Sequence, residues 1–390
     1  MTSHIDHAAA ANRARKLLLV ALFASTLAAT LALSSGRALA NHVSCGDTIT
    51  ADTTLDSDLV NCPNNGIVIG AGRITLDLAG HQIDGDGAPA VGCDPEIEWC
   101  DVGVMNEGHD GVTTRHGEVQ EFDLGLVVGD ARGNRVMNIS SRRQVFFGAL
   151  VFGSTRNLIR DGTFSHNTPP KGDGIGVFGS RHIRIVDNQI RSNEGPGIHL
   201  GDSSQNVVKE NKFVRNGPSV LIEGSANFVS GNRVVGGAGI LMAMGDENVI
   251  SENHVSRAID SIAIENGHRN RVARNLVAHA RGTQGISLGI NLPPIGGGRN
   301  VVRENRVENS REDGFRVAAE DRNSVLKGNI AIFAGDDGFS VKGPSTKLTD
   351  NWALSNDDLG IDALPHVIDG GRNIARRNGD PRQCTNIACS

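Results

Sequence analysis

The stretch NVVKENKFVRNGPSVLIEGSANFVSGNRVVGGAGILMAMGDENVISEN, residues 206–253, repeats itself. Its unit is an Asn, two apolar residues, two further residues and a second Asn, as in Asn206/Asn211, Asn227/Asn232 and Asn248/Asn253. A loop and a short strand, usually led by Gly, complete it. From Asn206 to Asn270 the copies are spaced 21, 21 and 22 residues apart. Further copies stand at Asn270/Asn275, Asn300/Asn305 and Asn373/Asn378, and weaker ones begin at Asn134, Asn157, His182, Ser324 and Thr346. Where a loop is inserted the spacing stretches to 30 residues.

A period of this length marks a solenoid. The apolar residues alternate with period two, which is the strand period. The segments are rich in Val and Ile and are broken by Asn and Gly, residue types that tolerate left-handed turns. A leucine-rich repeat would need a Leu framework that is absent here. The pattern therefore predicts an all-β parallel β-helix with three short strands per turn. Successive turns stack ~4.8 Å apart, inward aliphatics form columns, and Asn at a fixed turn forms a hydrogen-bonded ladder. Residues 66–87 (GIVIGAGRITLDLAGHQIDGDG) alternate in the same way, and 102–133 hold another irregular coil or more. This reading gives about 11–12 coils between residues 45 and 380.

The composition of the 390-residue chain agrees. It has 49 Gly, 12 Phe, 2 Trp and no Tyr, which suits slim coils and argues against a large jigsaw core or a broad aromatic platform. Lys and Arg number 38 against 44 Asp and Glu, so a nucleic-acid partner is not expected.

Residues 1–40 read as a signal peptide. Arg13, Arg15 and Lys16 form a basic start, Leu17–Leu33 an uncharged apolar run, and Ala38-Leu39-Ala40 a cleavage site. The expected mature chain, 41–390, is a single β-helix domain with 34 bases and 43 acids, secreted or in the cell envelope, with no membrane contact after cleavage and monomeric. All six Cys fall in it, and an even count in an exported chain reads as disulfides. They lie as three sequence-local pairs, Cys45/Cys62, Cys93/Cys100 and Cys384/Cys389, the first and last placed to cap the ends where open backbone edges invite aggregation.

The segment ITLDLAGHQIDGDG, the coils with paired Asn and the tail NGDPRQCTNIAC resemble the right-handed parallel β-helix repeat proteins of the pectin-lyase-like superfamily. The resemblance covers nearly all of the mature chain and implies right-handedness. It also implies an extracellular polysaccharide as partner, since that superfamily holds polysaccharide lyases, glycoside hydrolases, uronate epimerases, carbohydrate esterases and non-catalytic surface proteins.

A solenoid aligns equivalent positions. The strand after the long loop reads GIGVF (174–178), GIHLG (197–201), VLIEG (220–224), GILMA (239–243), SIAIE (261–265), GISLG (285–289), GFRVA (314–318), GFSVK (338–342) and GIDAL (360–364). Second and fourth places face inward and third places outward. The outward column is Gly176, His199, Leu221 or Ile222, Leu241, Ala263, Ser287, Arg316, Ser340 and Asp362. Just before the last three strands stand Glu312-Asp313, Asp336-Asp337 and Asp357-Asp358. On neighbouring turns these carboxylates would be roughly 5 Å apart.

Two chemistries suit such a ladder. The preferred one is lyase- or epimerase-type chemistry on a uronate polymer, with Asp313, Asp337 and Asp358 holding Ca²⁺, Arg316 or Lys342 taking the C5 proton, and Asp336 and Asp362 in the same centre. A glycoside hydrolase would use the acids without metal. A lyase with a Tyr acid is ruled out by composition. Gly335-Asp336-Asp337 looks like the motif of polygalacturonase-type hydrolases, whose other motifs are not at suitable places; the epimerase Asp-Pro-His is missing too. The bland alternative is a solvated acidic turn in a glycan-binding or envelope protein, since Asp-Gly before a strand is also a turn signal, as at Asp173-Gly174, where no acidic stack is expected. His199 and Glu223, outward on nearby coils, and Trp99 in the loop 88–101 are candidates for substrate binding. Met242 and Met244 read as inward packing, and the loop around residues 291–295 as an insertion.

Overall fold

In the computed structural model, residues 42–88, 101–168, 172–289 and 297–390 are described. The expected signal peptide of residues 1–40, Trp99, Cys93 and Cys100 and residues 291–295 lie outside them. Among the described residues there are strands and turns and no helix, so none is present to cross a membrane.

Fifteen parallel strands form one long sheet, from Asp47–Ile49 to Cys384–Thr385. The other strands stack in two further parallel columns, one coil upon the next, in register as in Val249↔Arg271 and His254↔Leu276, with a register shift between Leu59 and Cys62 near the start. This is the parallel β-helix the repeat implies, with about fourteen turns rather than 11–12. The undercount lies before residue 153. There Thr113–Gln120 and Arg135–Arg142 run as unbroken eight-residue strands through two of the columns, so the Asn punctuation that marks a coil is diluted.

The core is a set of vertical stacks. Ile175, Ile198, Val220, Ile240, Ile262 and Ile286 follow one another inside the long sheet, all at most 1% exposed. The stack continues through Phe315 and Phe339, whose rings lie parallel with centroids 4.7 Å apart, to Ile361. Single-file stacking explains the aliphatic composition, since each coil offers only a narrow interior.

Both Asn of the repeat form ladders. Asn206, Asn227, Asn248, Asn270 and Asn300 make one, each backbone N–H donating to the Oδ1 of the next rung's Asn at 2.8–3.0 Å. Asn188, Asn211, Asn232, Asn253, Asn275, Asn305, Asn329, Asn351 and Asn373 make the other. The left-handed residue is the one before each Asn, not the Asn itself: Gln205, Glu210, Ala226, Glu247 and Glu252 have φ of 56–60°. The Asn is buried and satisfies backbone groups that the turn would strand.

The ends are pinned as expected. Cys45 is bonded to Cys62 and Cys384 to Cys389. Met242 is fully buried in the core stack, but Met244 is 51% exposed, because the chain has already left the strand.

Candidate functional site

The outward column is in register along the long sheet, and Leu221, not Ile222, occupies the doubtful rung, between His199 and Leu241. Downstream it continues Ser287, Arg316, Ser340, Asp362 and Thr385. Phe315, Phe339 and Ile361 are register partners, so the residues three places earlier, Glu312, Asp336 and Asp358, fall in one column. Asp313 and Asp337 fall in the next. Asp357 does not stack with Asp336. The third rung reads Asp358-Leu359-Gly360, with one residue more between acid and strand than Asp337-Gly338, and the acid pair slides by one.

This slip builds a cluster. Asp336, Asp337 and Asp358 each bring an oxygen within 4.8 Å of the other two. The expected metal set of Asp313, Asp337 and Asp358 is therefore not the tightest trio; Asp336 replaces Asp313. Asp337 is 8% exposed and its Oδ1 accepts a hydrogen bond from the Leu359 N–H at 3.0 Å. That bond caps the next rung, so the carboxyl is locked by the fold. Asp362 points the same way and accepts from the Thr385 hydroxyl at 2.7 Å.

The electrostatics follow from crowding. Burial pushes the Asp337 carboxyl up to about 7, helped by the charges of Asp313, Asp336 and Asp362 and opposed by the Leu359 N–H. Burial likewise raises Asp313 to about 6, with the Asp336 charge adding to it and the Arg316 guanidinium working against it. Asp336 is raised by burial and by the charges of Asp358, Glu312 and Asp362. Close like charges do not all ionise together, so the cluster holds a proton near neutrality. Arg316 is in range of Asp313. Lys342 follows the strand Phe339–Val341 and is exposed, and it is not among the leading causes of the shifts of these acids.

A second constellation lies upstream on the same face. His199 Nε2 is 2.9 Å from Glu223 Oε2, and its Nδ1 is 3.4 Å from Asp173 Oδ2. Burial alone would lower the His199 pKa, but hydrogen bonds and charge from Asp173 and Glu223 outweigh it and raise the value. The Phe178 ring packs edge-on against the imidazole, centroids 4.9 Å apart, and meets Phe147 at 5.8 Å. Asp173 is the residue the sequence reading passed over as a turn. The available signal was its place, two residues before an inward Ile on the rung preceding His199.

A buried carboxyl was missed as well. Asp101 Oδ2 accepts from the Asp123 N–H at 2.8 Å, while its Oδ1 has no hydrogen-bond partner among the described residues. Burial raises Asp101 to about 7. Asp101 and Asp123 occupy the column position that Asp336 and Asp358 hold at the other end, and Asp101 and Phe146 line a cavity of about 560 Å³.

Stacked parallel coils with outward acids on one long sheet define a class, the single-chain β-helix with a side-face site. Residues 102–255 and 220–351 match the family described as "Right handed beta helix region", and the chain belongs to that family. Solved structures share its fold. The A-module of the mannuronan C-5 epimerase AlgE6 from Azotobacter vinelandii is 11% identical, covers 80% of this chain and 89% of its own, and superposes with a TM-score of 0.53. The alginate lyase AlyF-OU02, crystallised with the ligand designated G6, is 12% identical, covers 90% and 84%, and gives 0.52. The bacteriophage phi29 gene product 12 is 12% identical, covers 89% and 53%, and gives 0.58. At these identities the likeness is one of fold. No curated protein matches the chain by sequence.

Proposed function

We propose that the chain is an extracytoplasmic enzyme acting on a polysaccharide, with the cluster of Asp313, Asp336, Asp337 and Asp358 as its reaction centre. The observation that carries the reading is the convergence of carboxyls from three successive rungs, three of them with oxygens within 4.8 Å and two held protonated towards neutrality by burial. A protonated carboxyl beside an ionised one is the pair that glycosidic bond cleavage needs. Asp337, buried and fixed by the Leu359 N–H, is the proton donor to the leaving oxygen. Asp336 or Asp358, both exposed, attacks the anomeric carbon or activates water. The short spacing lies nearer the ~5–5.5 Å of retaining enzymes than the ~6.5–9.5 Å of inverting ones. Arg316, next to Asp313, orients a sugar oxygen or carboxylate. Fold neighbours that include an epimerase of mannuronan and a lyase of alginate support the polymer class, and the two disulfides support an oxidising compartment.

A second reading keeps the same residues and uses Ca²⁺. Three carboxylate oxygens at this spacing suit a hard cation that takes six to eight oxygen ligands, the rest coming from water and a uronate carboxylate. Asp336, Asp337 and Asp358 would hold it. When bound it would neutralise the sugar carboxylate, the requirement of elimination or C5 epimerisation.

A panel of neutral and uronate polysaccharides, assayed with calcium and with chelator, separates the two. New reducing ends that survive chelation support hydrolysis. Absorbance near 235 nm, or altered uronate proton signals without cleavage, lost on chelation, supports the calcium reading. No change in any polymer under either condition removes the enzyme assignment and leaves a glycan-binding protein.

A further inference from the structure

A patch on another wall of the solenoid is unlike the rest of that wall. In the column of strands Arg233–Val235 and His254–Ser256 the leading outward positions carry Gln189, Lys212, Arg233, His254, Leu276 and Arg306, with a single aliphatic among them. In the last three coils they carry Ile330, Trp352 and Ile374, and two places on stand Ile332, Leu354 and Arg376. Trp352 is 46% exposed and Phe333 56%. Phe333 sits at a left-handed turn position with φ of 56°, shared with Asn309, Ser355 and Arg377. A bulky ring is a poor choice there, and it gains no burial in return. The chain has no Tyr and only 2 Trp, so two open aromatic rings on adjacent coils stand out.

Ile332, Phe333 and Leu354 line an open groove of about 460 Å³, bounded by Arg376 and Arg377. Neither arginine has an acidic partner among the described residues. Across the groove Arg306 is already paired with Glu308. The groove is thus apolar and aromatic on its floor and carries free positive charge at one end, on a chain whose formal net charge is −6.

We propose that this groove is a binding subsite for an anionic sugar of a polysaccharide. The flat apolar face of a pyranose stacks on Phe333, with Trp352 beside the groove, two places before Leu354 on the same outer face of its strand, and its carboxylate or sulfate ester takes bidentate hydrogen bonds from Arg376 and Arg377. A second copy of this chain is the poorer occupant, because a two-fold pairing sets each patch against itself and brings the unpaired arginines together. The turn containing Phe333 leads three residues later into Asp336, so a chain held in the groove is delivered towards the carboxyl cluster. The proposal rests on the polysaccharide reading for the kind of polymer and deepens it by assigning that polymer an acidic sugar.

The test uses the full chain with Trp99→Phe, which leaves Trp352 as the fluorophore. It is titrated with hexagalacturonate, with a sulfated galactan hexasaccharide and with a neutral galactan hexasaccharide. The expected result is a change in Trp352 emission with one or both anionic probes and not with the neutral one. The double substitution Arg376→Ala/Arg377→Ala weakens binding at least about tenfold, and Phe333→Ala weakens it with the fold intact. Which anionic probe binds tells carboxylate from sulfate. Equal binding of the neutral probe, no binding of any, or wild-type affinity in the double variant overturns the proposal. So does a dimer in sedimentation that Trp352→Ala dissociates. Asp337→Asn keeps the emission change, so binding without turnover in the unsubstituted centre counts against the reaction centre alone, and turnover without arginine dependence counts against this subsite alone.

Discussion

At the scale of single residues, the decisive property is burial of acids that cannot share one charge state. Asp337 and Asp101 are raised to about 7 and Asp313 to about 6, each above its unfolded value of 3.8. The folded state therefore holds protons that the unfolded chain has released. Their contribution is fully present below pH 3.8 and is lost as pH rises through 6 to 7. Melting temperature is expected to fall between pH 5 and 8, and Asp337→Asn to flatten that fall; an unchanged slope in the variant removes the shift. His199 behaves in the opposite chemical sense. Its imidazolium is favoured by Asp173 and Glu223, so its ring protons should titrate above 6.5 by NMR and move down in Glu223→Gln. An identical titration in that variant contradicts the pairing. Which residues would be charged was legible in the sequence, and which would touch was not. Asp173 and Asp357 show why: Asp173 reads as turn punctuation, and Asp357 stands at the column position of Gly335, so that Asp358 is the residue stacked on Asp336.

At the scale of the repeat, the Asn ladder converts a sequence pattern into a packing rule. Asn253 Oδ1 accepts from the Asn232 backbone N–H at 3.0 Å and from its side-chain Nδ2 at 2.9 Å, while its own Nδ2 donates to Val229 O at 3.0 Å. Removing the amide strands the buried Asn232 backbone N–H, leaves the Asn232 Nδ2 with only its bond to Val208 O and takes a donor from Val229 O, at roughly 1–3 kcal/mol for a stranded group. Asn253→Ala should therefore lower the denaturation midpoint clearly, by at least about 2 kcal/mol in stability. Glu252, exposed beside it at φ of 59°, should accept Gly with no loss and possess no such role. Equal effects of the two substitutions would contradict the ladder as a structural element. The repeat was readable because a buried Asn at each of two corners satisfies backbone groups from rung to rung, a part that Ser324 takes on the rung after Asn300. The early coils were not, because at the same corner Gly117 and Ile139 follow the left-handed residues His116 and Asn138 where later coils carry Asn.

At the scale of the whole solenoid, a stack of about fourteen turns at ~4.8 Å presents one continuous outer sheet face roughly 67 Å long. Along it lie the aromatic cluster of Phe147 and Phe178, the Asp173–His199–Glu223 group, an aliphatic stretch through Leu221 and Leu241, and the carboxyl cluster with Arg316. A linear polymer is the ligand shape such a face accommodates. Coils at the two ends have a neighbour on one side only, and there the disulfides sit. In a quasi-one-dimensional fold, reduction should loosen the terminal coils before the middle. Hydrogen exchange with and without reductant should show faster exchange confined to the first and last coils, and uniform acceleration would contradict that division.

The most direct test of the central claim is the pH–rate profile of the wild type on a polysaccharide confirmed as substrate, beside Asp337→Asn. A buried carboxyl acting as proton donor predicts a rate that falls as pH rises through about 7, and a loss of at least about 100-fold in the variant with the fold retained. Full activity in Asp337→Asn, with the same dependence on pH, would show that the acid cluster takes no part in the chemistry.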